Sequence, residues 1–146
     1  MTIRKWVGLG VWMLCWGCSS DRAAEIEEQR QAWLSKHPES YVVKICETGF
    51  LSGGCTLSAV SAGQVLAERS GPRQGALMDV TPNSAEPIDA LFDRLLRESK
   101  CDFKALAFDP TYHYPSKYSC DYGEEGSGET VACFEPNTVD LAACPE

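Results

Sequence analysis

Two segments of the chain carry apolar residues at three- and four-residue intervals, the spacing of an amphipathic helix. The first should run from Asp21, whose side chain can cap it, to about His37, where Pro38 ends it. Its stripe consists of Ile26, Arg30, Trp33 and Leu34. The second should begin near Pro87, a residue suited to the first turn of a helix. Its stripe consists of Ile88, Leu91, Phe92, Leu95 and Leu96. We expect both stripes to belong to the core.

Other segments alternate apolar and polar residues at period two, which predicts β-strands. Six strands are predicted, over residues 41–46, 55–60, 65–68, 103–108, 116–122 and 130–135. Residues 69–86 are rich in Gly, Pro, Ser and Asn and predict a long connection. Strands interrupted by two helices favour an α+β fold. We therefore expect an antiparallel sheet of about five to six strands with both helices packed on one face.

The N-terminus predicts export. Arg4 and Lys5 precede a short apolar stretch, as in a secretory signal, and a membrane-spanning helix would need roughly 20 apolar residues. Gly17 and Cys18 resemble the end of the bacterial lipobox, which predicts that cleavage leaves Cys18 as a lipid-bearing N-terminus. We expect a signal peptide over residues 1–17, the lipidated Cys18 with a spacer over 18–23, and one α+β domain over 24–146. The alternatives are a cleaved signal without lipid and a buried cytosolic helix.

Charge narrows the choice of partners. The 146 residues include 13 Lys and Arg and 21 Asp and Glu, for a net charge of −8. Loss of Arg4 and Lys5 with the signal would leave −10. An acidic domain lacks the basic footprint of nucleic-acid binding and is not drawn to anionic lipid. We therefore expect the lipid alone to attach the protein, at the outer membrane because Ser19 follows Cys18; a periplasmic or secreted protein is the alternative.

Six of the eight cysteines lie beyond Cys15 and Cys18. They are Cys46, Cys55, Cys101, Cys120, Cys133 and Cys144. An even number in an exported domain predicts three disulfides, with 15 possible pairings. Two pairs flank Gly-containing turns, and the remaining two cysteines would tie down the C-terminus. The predicted bridges are Cys46–Cys55, Cys120–Cys133 and Cys101–Cys144. The spacing is not that of a zinc site, and His37 and His113 are the two histidines, so we expect no metal.

A family resemblance covers about residues 33–137. Trp33 and Tyr41, then the segment 87–95 (Pro-Ile-Asp-Ala-Leu-Phe-Asp-Arg-Leu), then 108–115 (Phe-Asp-Pro-Thr-Tyr-His-Tyr-Pro), resemble bacterial exported domains catalogued as domain of unknown function 6174. The resemblance implies a small α+β domain of a lipoprotein or secreted protein, without assigned catalytic residues or ligand. Where that family has Gly between the two tyrosines, this chain has His113. Gly there would allow a positive φ, which His tolerates at some cost.

The turn over residues 109–115 is the candidate site with the most chemistry. Asp109, Tyr112, His113 and Tyr114 form a possible binding turn, and Asp109 with His113 could act as an acid–base pair. The structural alternative is that the Asp109 carboxylate accepts backbone N–H groups while the tyrosine rings pack on the sheet. We favour the structural interpretation and predict no catalytic residues.

A second candidate is the acidic run that begins directly after Cys120. Asp121, Glu124, Glu125 and Glu129 could hold Ca²⁺, although their spacing is not that of an EF-hand, and a solvated hairpin tip is the simpler prediction.

We expect a non-catalytic protein-binding or accessory module of the cell envelope, with no cofactor and an envelope protein as its partner. The alternatives are a lipoprotein that binds a small ligand or Ca²⁺, and a hydrolase.

Overall fold

The structure is a computed structural model, and it describes residues 19–49, 53–83, 85–121 and 126–145. Of residues 19–21 it describes the helical backbone. The predicted signal peptide and the lipidated Cys18 lie outside the described residues, as do residues 122–125 of the acidic run.

Two α-helices are present in the described residues: α1 over Ser19–Lys36 and α2 over Pro87–Arg97. Helix α1 begins before Asp21, so the prediction that Asp21 caps it is wrong. Helix α2 begins where the sequence predicts, with Pro87 in its first turn. Asp89 near its positive end and Arg94 and Arg97 near its negative end complement the helix dipole.

Seven strands form one antiparallel sheet in the described part of the chain, which confirms the α+β prediction with a strand count slightly above five to six. They are β1 Ser40–Glu47, β2 Gly54–Ser61, β3 Gln64–Pro72, β4 Met78–Val80, β5 Asp102–Phe108, β6 Pro115–Asp121 and β7 Gly126–Pro136. Their order across the sheet is β4-β3-β2-β1-β7-β6-β5. The added strand β4 lies within the segment that the sequence predicts as a connection.

Both helices pack on the same face of the sheet, as predicted. The buried cluster on this face consists of Ile26 and Trp33 from α1, Ile88, Leu91, Phe92 and Leu95 from α2, and Tyr41, Val43, Val60, Tyr114, Tyr118 and Cys120 from the sheet side. The predicted stripe of α2 is therefore confirmed as core. In α1 the prediction fails for Leu34, which is 46% exposed, and Arg30 instead forms an ion pair with Asp93 at 3.0 Å.

A smaller apolar cluster lies on the opposite face. It contains Val42, Cys46, Cys55, Leu57, Ala59, Leu77 and Cys144. The C-terminal segment covers part of this face: a short 3₁₀ helix over Leu141–Ala143 places Cys144 against the sheet, and Asp140 caps that helix by accepting from the Ala142 N–H. The back of the sheet is thus closed by the chain's own tail.

Three disulfides join Cys46 to Cys55, Cys101 to Cys120, and Cys133 to Cys144. The first confirms the prediction, and Cys46 and Cys55 are directly opposed in β1 and β2. The predicted bridges Cys120–Cys133 and Cys101–Cys144 are wrong. Cys120 is opposed to Ser127, and Cys133 lies further along β7 beside Lys44 of β1.

The strand register explains both errors. Six residues of extended chain between Ser127 and Cys133 span about 20 Å, whereas bridged Cα atoms lie within roughly 7 Å. Cys120 belongs to the cluster beneath the helices and Cys144 to the cluster on the opposite face, where Cys133 also packs. Cys101 sits just before β5, whose Phe103 is opposed to Cys120. Each cysteine therefore bonds to a neighbour on its own face of the sheet.

Within the described residues, none of the helices is long and apolar enough to cross a membrane.

Candidate binding groove beside the second helix

The helices leave part of their face of the sheet uncovered. A hollow of about 270 Å³ lies between α2 and the half of the sheet formed by β1, β2 and β3. We call this hollow and its extension, described below, the α2 groove. Six side chains define it: Thr56, Ser58, Glu68 and Ser70 from the sheet, Arg94 from α2, and Glu129 from β7.

The floor of the groove is polar because strand β2 alternates. Thr56 and Ser58 face the helix side, while Cys55, Leu57 and Ala59 point into the apolar cluster on the back. Ser58 is buried and donates to Glu68 Oε2 of the neighbouring strand at 3.3 Å. Polar side chains on a sheet surface beside a helix are typical of a solvated face rather than of a packed core. The sequence of β2 thus keeps this half of the sheet open.

A second hollow of about 240 Å³ continues the groove toward the β6–β7 hairpin. It is lined by Thr48, Glu98, Tyr118 and Ser127 among others. Glu47, Arg94 and Glu129 line both hollows. The two hollows therefore form one groove with the Arg94–Glu129 pair at its middle.

Glu129 is the most deeply placed charged residue of the groove, with 6% of its surface exposed. Arg94 donates to its Oε1, and the Tyr118 hydroxyl donates to its Oε2 at 3.0 Å. Burial raises the pKa of Glu129 above its ordinary value, although Arg94 and Tyr118 act in the opposite direction. Burial also raises the pKa of Tyr118, and the adjacent Glu129 raises it further. The phenol thus stays protonated as a donor to the carboxylate.

The outer rim of the groove is apolar. Met78 and Val80 of the edge strand β4 are opposed to Ser70 and Glu68 of β3, so they share the groove's face of the sheet. Met78 is 69% exposed and Val80 is 39% exposed. The groove therefore has a polar floor bordered by exposed apolar side chains at the free edge of the sheet.

The N-terminal end of α2, opposite the end that carries Arg94, is also fixed to the sheet. The Tyr41 hydroxyl of β1 donates to Glu86 Oε1 at 2.5 Å, and Glu86 is the residue that precedes the helix. Burial raises the pKa of Tyr41, and the Glu86 hydrogen bond adds to this effect. This contact, together with the Arg94–Glu129 pair, holds α2 at a set distance from the groove floor.

The predicted binding turn lies elsewhere and has a structural role. Asp109 Oδ1 accepts the backbone N–H groups of Thr111 and Tyr112 at 2.9 and 2.7 Å. His113 has a φ of 67°, the left-handed conformation that glycine would allow. Its ring contacts helix α1, with Nδ1 2.9 Å from Gln29 Oε1 and Nε2 2.9 Å from Lys36 Nζ. A neutral ring protonated on Nδ1 satisfies both contacts.

The tyrosines of this turn pack into the aromatic core. Tyr114 is buried with its ring centroid 4.6 Å from that of Phe134 and 6.2 Å from that of Trp33, and Tyr112 lies 5.4 Å from Phe134. Burial raises the pKa of Tyr114 to about 12. Among the described contacts no hydrogen bond joins the side chains of Asp109 and His113, and neither residue lines the groove. The turn therefore braces the fold in the way the structural interpretation expects.

The two described residues of the acidic run, Asp121 and Glu129, lie in different surroundings. Glu129 lies inside β7 and is buried, so the prediction that places it at a solvated hairpin tip is wrong, while Glu124 and Glu125 fall outside the described residues. Asp121 lies 3.6 Å from Lys104 across the β5–β6 pair. Within the described ranges, no three His, Cys, Asp or Glu side chains converge as a metal site.

The groove could not be identified from the sequence by motif. The sequence places Glu129 in the acidic run of a predicted hairpin tip, and no motif singles out Arg94. One signal was available: Glu129 stands two residues before Val131, so both occupy the same face of a strand. Likewise Thr56 and Ser58 alternate with Leu57 and Ala59, which marks two different faces. Neither pattern shows that α2 lies above these residues.

Comparisons with known proteins give no functional information for this chain. No protein-family model matches the chain, no curated protein matches it, and no solved structure matches its fold. The resemblance to domain of unknown function 6174 therefore stays a prediction.

Proposed function

We propose that the protein is a lipid-anchored, non-catalytic binding module of the cell envelope, and that a partner protein docks in the α2 groove. One observation carries the proposal: beside α2 the sheet face is polar and lines an open groove, while the neighbouring part of the same face is packed under the two helices. A groove of this kind presents hydrogen-bonding and charged groups to a partner protein without any change in the fold.

Three disulfides support the envelope location, because such bridges persist in oxidising compartments. The basic and apolar start of the sequence and the Gly17-Cys18 junction support anchoring by a lipid on Cys18. The partner would then meet the domain at the membrane to which the lipid holds it.

The open shape of the groove favours a protein partner over an enclosed small ligand. Pockets for small ligands usually bury most of the ligand. The two hollows, about 270 and 240 Å³, instead form one open groove that continues to an exposed rim at Met78 and Val80. Individual side chains of a partner fit such hollows, with the rest of the partner lying across the rim.

Site-specific photo-crosslinking in intact envelopes tests the proposal. A photoreactive amino acid at Ser70, on the groove floor, should give a discrete crosslinked protein band. The same amino acid at Glu135, which is exposed on β7 beside back-face Val42, serves as the matched control. The proposal requires a band from position 70 that position 135 does not give. Identical patterns from both positions would contradict it.

A further inference from the structure

We propose that the segment docking in the α2 groove is a short extended peptide that is apolar at one end and basic at the other. This inference rests on the proposed function and names the chemistry of the partner. It follows from how charge and apolar surface are distributed along the groove, from the β4 rim to the Arg94–Glu129 pair.

The interior of the groove carries more acidic than basic groups. Glu47, Glu68 and Glu98 line the hollows, in addition to Glu129. Arg94 is the basic residue among the described lining residues, and Glu129 already pairs with it. The hydrogen bond from Ser58 to Glu68 leaves the charge of that carboxylate in place. Lysine or arginine side chains of a partner would complement this excess.

The rim of the groove is apolar and favours an apolar side chain of the partner. Met78 and Val80 expose apolar surface on the groove's face at the free edge of the sheet. An apolar residue of the partner placed there would bury that surface, at about 25 cal/mol per Å² removed from water. The groove thus presents apolar contacts at β4 and carboxylates toward β1.

The length of the docking segment follows from strand spacing. The path from β4 to Glu47 of β1 crosses three strand intervals, or about 14 Å at roughly 4.8 Å each. An extended chain advances about 3.3 Å per residue, so four to five residues cover the path. The expected segment has apolar residues at one end of this stretch and basic residues at the other.

The probe is the synthetic peptide Ile-Val-Ser-Lys-Lys, titrated into the full-length protein at low ionic strength and followed by NMR. We expect shifts of the Met78 and Val80 methyl signals and of amides around Glu68. The double variant Glu47→Gln with Glu68→Gln should raise the Kd about fivefold to tenfold, because two exposed charge contacts are lost. Gln keeps the shape of both side chains, and a thermal melt verifies that the variant is folded.

The matched control is Glu28→Gln with Glu135→Gln, which removes the same charge from exposed positions on α1 and β7. It should change the Kd less than twofold. Replacing Ile-Val by Ser-Ser in the peptide should abolish the methyl shifts of Met78 and Val80, and replacing Lys-Lys by Glu-Glu should abolish binding.

Three results would overturn the inference. Equal weakening by both double variants would show that the peptide senses only overall charge. Binding of the Glu-Glu peptide at similar affinity would show that the groove does not select basic groups. Absence of peptide binding, together with a position-70 crosslink, would remove this partner class while the proposed function stood; absence of both would remove the two together.

Discussion

Arg94 and Glu129 form the contact on which the groove depends. Arg94 projects from the last turns of α2, and Glu129 is its deeply placed partner on β7. A carboxylate taken out of water is costly unless it is paired and hydrogen-bonded. Here the Arg94 guanidinium pairs with the carboxylate, and the Tyr118 phenol donates a hydrogen bond to it. The pair therefore fixes the C-terminal part of α2 over the sheet, and the two hollows exist on either side of it.

Arg94→Met tests this role. The variant leaves Glu129 buried without its cation, so we expect a loss of about 1–2 kcal/mol in the free energy of unfolding at neutral pH, less than for a fully buried pair because the Arg94 side chain is 38% exposed. Without Arg94 the raised pKa of Glu129 should rise further. When a carboxyl group has a higher pKa in the folded than in the unfolded state, the free energy of unfolding of the protein rises as the pH falls. The loss should therefore shrink as the pH falls toward the ordinary value of 4.5. Urea unfolding measured across this pH range provides the values.

Arg97→Met is the control for Arg94→Met, since Arg97 is exposed on the same helix and should change stability by less than about 0.5 kcal/mol. Adding Glu129→Gln to Arg94→Met should recover part of the loss, because no buried charge then remains. A loss of stability that does not depend on pH would show that packing of the Arg94 stem, and not its charge, is what matters.

Among the elements, strands β6 and β7 approach each other closely at Gly128. Gly128 of β7 is opposed to Ser119, and a Cβ atom at Gly128 would lie 2.8 Å from the Ser119 Cα and closer still to the Tyr118 carbonyl oxygen. The Gly128 carbonyl also accepts the N–H of Thr48, at the end of β1. Gly128 thus lets β7 lie close to β6 directly beside Glu129.

Gly128→Ala should destabilise the protein by about 1–3 kcal/mol, because backbone atoms must move to admit the methyl group. It should also weaken the Arg94–Glu129 contact by displacing β7. Gly126→Ala is the matched control in the same strand: its Cβ atom would meet the Cys120 carbonyl oxygen at 3.4 Å, so it should cost less than about 1 kcal/mol. Urea midpoints with the disulfides intact compare the two. Similar midpoints would mean that β6 and β7 can separate freely.

The elements with strong periodicity were predictable from the sequence. Helix α2 follows from its apolar stripe and Pro87, and six of the strands follow from alternation. Strand β4 does not, because its alternation of apolar and polar residues covers only three positions, Met78 to Val80, in a segment rich in Gly, Pro, Ser and Asn. It pairs with residues 68–70 of β3, and Asp79 forms an ion pair with Arg69 of β3 at 2.9 Å. A three-residue edge strand is specified by its neighbour and not by its own sequence.

At the scale of the whole molecule, the groove is formed by contacts between residues far apart in the sequence, and local sequence patterns do not predict such contacts. Local spacing placed Arg94 on a helix and suggested a strand just after Glu129, but their contact joins residues 35 positions apart. Two of the three disulfide predictions failed for the same reason: the pairing of Cys120 and Cys133 depends on strand register and on which face each occupies. By contrast, the predicted contacts of the Asp109 carboxylate with backbone N–H groups are present, since they join residues only two and three positions apart.

The covalent structure of the whole protein gives one further prediction. Mass spectrometry of non-reduced peptides from the membrane-derived protein should find Cys46–Cys55, Cys101–Cys120 and Cys133–Cys144. The same spectra should show an acylated Cys18 as the first residue. Peptides from the reduced sample serve as the control. A Cys120–Cys133 peptide would contradict the register of β6 and β7, and an unmodified N-terminus would contradict the lipid anchor.

The disulfides also have a consequence for how the chain reaches its oxidised form. Each cysteine is bonded to the next one along the sequence, at separations of 9, 19 and 11 residues. A chain that crosses a membrane with its amino end first presents these cysteines one pair at a time. Each pair can close before the next cysteine has emerged, so order of arrival alone selects the native set among 15 pairings. If the protein is exported, as we propose, its maturation should need an oxidant but no disulfide isomerase.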